Sequence, residues 1–195
     1  MSGAPTSADD PPDAAALAAA GWSEAELTWE HVQVAAAEVL ADGKTQEAAS
    51  LWRSGLELAR ATFGEDDPRL AASLANHAVG LRLEGDDAAA AALLGEALEV
   101  WGRAGPWIEA LKPERRARSS LYHLRMESKY KGGYERHSRD RYRKLAEEGR
   151  VRTGALREAA DTPQVELERW RRDRPAGYDD ARKLLAAVVL VVSGR

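Results

Sequence analysis

The side chains able to do acid–base or metal chemistry in this 195-residue chain are four histidines, His31, His77, His123 and His137, and a large set of carboxylates. A helical metal site needs two ligands one turn apart, as in HExxH, and no two of these histidines have that spacing. His31, His77 and His123 recur at an interval of 46 residues. The pattern of the front half of the chain repeats at 42, so these three drift around their helices rather than converge. Cysteine is absent, which removes a disulfide framework, a thiolate zinc site and a cysteine nucleophile. No Walker-type phosphate loop, GxGxxG or GxSxG occurs either. The expectation is a chain that is not an enzyme, with no cofactor and no metal.

Binding chemistry is better represented. Tyr122, His123, Met126, Lys129 and Tyr130 share one helical face, and Tyr122, Met126 and Tyr130 stand at i, i+4 and i+8. Such a stripe is either core or the wall of a groove for an apolar anchor with an acidic neighbour. The segments KPERRARSS at 112–120 and RHSRDRYRK at 136–144 set Arg115, Arg116, Arg118, Arg139, Arg141 and Arg143 beside serine and tyrosine, a mixture that contacts phosphates and stacks on bases. Interleaved acids offer a second reading, a solvated face or one that answers the acidic front half. Charge is indeed polarised. Residues 1–111 carry 6 Lys and Arg against 19 Asp and Glu, residues 112–152 carry 14 against 6, and the whole chain nets −4.

The elements that must position these groups are helices. Composition rich in Ala, Leu, Glu and Arg favours them, and apolar residues recur at three- and four-residue steps. Residues 1–12, with three prolines, read as part of a mobile acidic leader over 1–22 that lacks a secretory signal, so the expected location is cytoplasmic. Ser23 and Glu26 have capping-box spacing and start a helix to about Asp42, which Gly43 stops. A second helix runs to Phe63 and is closed by GEDDP at 64–68; a third ends at Gly85; a fourth spans Asp87–Ala104 and is broken by GPW. Beyond a degenerate third pair around Gly132 and Gly133, Thr162-Pro163 starts a further helix, and Asp179 caps a last one through LLAAVVLVV at 184–192. That run is too short to span a bilayer, for which roughly 20 apolar residues are needed. It is a buried cap or a homo-oligomer contact.

Shifting the chain by 42 residues lays Gly43 on Gly85, Ala48 on Ala90, Leu51 on Leu93 and Leu56 on Leu98. The series Ala78, Leu81, Gly85, Ala90, Leu94 and Ala97, with GEDDP as the link, resembles the tetratricopeptide repeat, in the longer variety found in kinesin light chain. Small side chains at Ala78, Ala90 and Ala97 let paired helices approach to the short end of the usual range of about 8–10 Å. The resemblance covers residues 28–105. In the third unit, 113–149, it holds only after a register change at the double glycine, which puts Ser138 and Tyr142 in the small and large places.

The fold expected is all-α: antiparallel helix pairs over 23–64, 67–105 and 113–150 stacked as a short right-handed solenoid, with a helical cap over 151–195. What the resemblance implies about function is a protein-binding adaptor whose first helices line a concave surface. It places Glu30, Gln33, Ala37, Ser73, Asn76, Val79 and Arg82 there, with Tyr122, His123, Met126, Lys129 and Tyr130 from the third unit. Asn76 stands out because its amide both donates to and accepts from an extended backbone regardless of sequence; its other reading is an exposed polar residue. The expected partner is a protein or peptide. A nucleic-acid-associated regulator using 112–152 and a homo-oligomer held through 184–192 are the alternatives.

Overall fold

The structure is a computed structural model, and it describes residues 19–111, 133–158, 166–173, 178 and 180–192. All regular structure among the described residues is helical: α1 (Glu24–Ala41), α2 (Thr45–Thr62), α3 (Pro68–Leu83), α4 (Asp87–Arg103), α5 (Gly105–Ala110), α6 (Gly133–Glu158), α7 (Leu167–Asp173) and α8 (Asp180–Val189). None is long and apolar enough to cross a membrane.

Local chemistry sets the boundaries of the first four. The Ser23 hydroxyl accepts from the Glu26 amide, while the Glu26 carboxylate accepts from the Ser23 amide at 2.7 Å, closing the capping box. Gly43 and Gly85, one repeat apart, both adopt the left-handed region, with φ of 80° and 86°. Only glycine enters it without a Cβ penalty, so each helix stops there. Asp67 caps α3 with Pro68 in the first turn, and Asp86 caps α4 by accepting from Ala89 N.

Each of α1 to α4 packs on its neighbour in the chain, with α3 sandwiched between α2 and α4. The repeat positions Ala48 and Ala90 are fully buried, as are Trp52 and Leu94 at the next turn. Small residues admit close contact: a Cβ built on Gly80 would stand 3.1 Å from the Ala49 backbone. α3 is buried from Pro68 to Gly80, covered on all sides.

Later elements depart from expectation in three places. GPW does not simply break the chain; after Ala104 it opens the short helix α5, with Ile108 and Leu111 in the core. α6 runs unbroken through the expected boundary between residues 150 and 151, because VRTGALRE offers no stop before Glu158. Its Ser138 and Tyr142 are buried. Finally, the last helix does not continue through LLAAVVLVV: it ends at Val189, and Leu190–Val192 leave helical geometry. Thr162, Pro163, Asp179 and the first helix of the third unit lie outside the described residues.

Packing of α6 on α4 supplies one sharp test. A Cβ at Gly149 would meet the Trp101 ring at 2.5 Å, and that ring is held by its Nε1 donating to Thr153 Oγ1 at 3.0 Å. Gly149→Ala should therefore lower stability in urea by about 1–3 kcal/mol even though alanine is the better helix former. On the same helix nothing lies within 4 Å of Gly154, so Gly154→Ala should raise stability by about 0.5–1 kcal/mol.

Candidate binding groove

The inner faces of α1 and α3 carry the polar residues that the sequence singles out, and the structure brings them together. Glu30, Gln33 and Ala37 from α1 and Ser73, Asn76 and Val79 from α3 are all buried, with Arg82 half-buried at the end of the row. They are not an open trough. The chain's own C-terminal segment, α8 and Leu190–Val192, lies over them.

Asn76 is the centre of the contact. Its Nδ2 donates to Gln33 Oε1 at 2.8 Å and to the Leu190 carbonyl at 2.9 Å, and its Oδ1 accepts from the Val192 amide at 3.0 Å. One side-chain amide thus takes the C=O of one residue and the N–H of the second residue after it, as a neighbouring strand would. Arg152 of α6 completes the grip, its Nη2 donating to the intervening Val191 carbonyl at 3.1 Å. Three backbone groups, one from each of Leu190, Val191 and Val192, are therefore paired by side chains where the helical ladder has ended.

The other end of the segment is held by charge. Arg182 donates to both Glu30 oxygens, at 3.1 and 2.5 Å, with both side chains less than a tenth exposed. The guanidinium also lies over the rings of Tyr178 (4.4 Å) and Trp22 (5.5 Å), which meet edge to face. Next to it Lys183 pairs with Glu26 at 2.9 Å. Between the two ends, Leu184, Leu185, Ala186, Ala187, Val188 and Val189 are buried against α3, α6 and α7.

Glu26 ties this end of the segment to the turn that precedes α3. Arg69 Nη1 donates to it at 2.6 Å while the rest of the guanidinium grips Asp67 and rests on Phe63. Burial pushes the Glu26 carboxyl up, but hydrogen bonds from Arg69, Lys183 and the Ser23 amide outweigh it and hold the group at about 2, below its ordinary 4.5. A depressed carboxylate stabilises the fold above its unfolded pKa and loses that contribution as pH falls through the folded one. Urea midpoints should thus drop between about pH 4.5 and 2 by an amount worth on the order of 2–3 kcal/mol, and Glu26→Gln should flatten that slope.

Other expected site residues are placed less informatively. Arg82 donates to the backbone carbonyls of Leu156 and Arg157 on α6, acting as a strut between helices. Arg139, Arg141 and Arg143 are exposed on α6, and Arg143 answers the acidic front half through Glu109 at 2.8 Å. Residues 184–192, expected as a cap or a contact between copies, are buried within their own chain, so no face of that run is left for a second copy while it stays there. Tyr122, His123, Met126, Lys129, Tyr130, Arg115, Arg116 and Arg118 lie outside the described residues.

Sequence reasoning missed Arg182, Lys183, Arg152, Trp22 and Tyr178. A signal existed: Arg182 and Lys183 head an otherwise apolar run, so burying that run buries the arginine, and Glu30 sits on a helix face otherwise turned inward. Compared with known protein families, curated proteins and solved structures, the chain shows no match.

Proposed function

We propose that this chain is a non-catalytic interaction scaffold of tetratricopeptide type, an adaptor that receives a segment of a partner protein along the inner faces of α1 and α3. The observation that carries this reading is the Asn76 amide holding the main chain of Leu190 and Val192. Contacts of that kind accept any sequence of suitable shape, which is what a peptide groove requires. Partner proteins captured on the full chain are expected to elute with a synthetic peptide spanning residues 178–195 and to resist a scrambled one. Retention of every captured protein under the peptide would sink the groove as the binding surface.

The exposed Arg139 and Arg141 support a second reading, a nucleic-acid-associated regulator. That reading predicts retention on RNA or DNA that falls linearly in log salt and weakens when Arg139 and Arg141 are reversed in charge.

A further inference from the structure

We infer that residues 180–192 are a stand-in ligand that closes the groove from within, and that the partner segment it yields to has the same chemistry: a cation at its head, an aliphatic helical turn or two, and an extended aliphatic end. This rests on the groove reading above.

Buried charge lies along the edge where α1 faces α3, not where α2, α3 and α4 meet. There the buried side chains include Ala48, Trp52, Ala78, Leu94 and Ala97, with His77 at the margin. Along the α1 and α3 edge, Arg69 pairs with Glu26 and Asp67, and beneath the segment lie Gln33, Asn76 and Glu30, which takes Arg182. A buried ion pair adds little net stability over apolar packing of the same volume, because desolvation consumes its Coulombic gain. It does reject a segment that lacks the cation, since Glu30 would then be buried alone. A seam built this way sacrifices stability for discrimination, as interfaces that choose among occupants do.

The two ends divide the labour of recognition. At the head, Glu30 and Glu26 demand positive charge, and Trp22 offers a ring face to it. At the tail, Asn76 and Arg152 read only backbone, so any residue that fits the buried space is accepted. The helices beneath do not depend on the segment for their own pairing, as α1 to α4 pack on one another in chain order. Segment and partner would then compete for one site, and the observed affinity would fall by the fraction of chains whose own segment is displaced.

The test uses full-length chains and a fluorescein-labelled peptide of residues 178–195. Wild type should bind it weakly. The Arg182→Glu chain, whose own segment is repelled by Glu30, should bind it about ten-fold tighter or more. A peptide carrying Arg182→Glu should fail on that chain but bind a Glu30→Arg chain, because only the charge match has moved. If the Arg182→Glu chain lacks the wild-type helical signal, Arg182→Lys, which keeps the charge and gives up the two-pronged bond, takes its place with a smaller gain of about three-fold. Equal affinity of all chains for the peptide overturns the stand-in inference and leaves the groove reading standing. Failure of every chain to bind overturns both.

Discussion

Replacing Arg182 with methionine is expected to cost about 3–5 kcal/mol of folding stability, the range for breaking a buried pair from one side. Glu30 would keep its position on α1, where it is only 2 % exposed, without the two hydrogen bonds that Arg182 donates to it. The loss is far greater than the intact pair contributes, since the two charges largely cancel their own desolvation. The companion result is therefore diagnostic. A Glu30→Leu/Arg182→Met chain, which removes both charges and fills the space, should melt within about 1 kcal/mol of wild type. Urea denaturation of the single and double variants checks both figures. A double variant as weak as the single one would show that Arg182 acts through Tyr178 and Trp22 rather than through Glu30.

The same pair marks how far the sequence could be read. Helix starts and stops are local events, decided by a capping side chain or a glycine within one turn, so Ser23, Gly43, Asp67, Gly85 and Asp86 announce α1 to α4 without knowledge of the rest. That Gln33 and Asn76 share one surface is what the resemblance implies. It does not imply what covers them. Asn76 meets Leu190 and Val192 across more than a hundred residues, and nothing in a 3.6-residue period records such a distance. The end of the last helix was illegible for a related reason: Leu190, Val191 and Val192 have the same apolar character as Val188 and Val189, and helical geometry is abandoned there because side chains from α3 and α6 offer the backbone other partners. Similarly α6 passes the expected boundary because a break needs a glycine in the left-handed region or a proline, and Gly149 instead supplies room for Trp101.

Asn76→Leu should be strongly damaging although the two side chains branch alike. It keeps the branched shape and the number of heavy atoms, with two bulkier methyls in place of the amide, but orphans three buried groups at once: the Leu190 carbonyl, the Val192 amide and Gln33 Oε1. Each unsatisfied buried group costs about 1–3 kcal/mol, so a total above about 3 kcal/mol is expected. The damage should be local before it is global. Amide exchange at Val192 should accelerate first, because the Asn76 oxygen that accepts from it has gone, while amides in α2 and α3 stay protected until the whole domain opens. Asn76→Asp separates geometry from shape: it keeps an acceptor for Val192 N but presents a second oxygen, and a buried charge, to Leu190 O and Gln33 Oε1. It should be at least as harmful as leucine near neutral pH and recover part of its stability under acid, where the protonated carboxyl donates again. Should Asn76→Leu cost less than about 1 kcal/mol with Val192 still slow to exchange, burial of the aliphatic run alone would be holding the tail, and the amide clamp would lose its claim to be how this groove takes hold of a polypeptide.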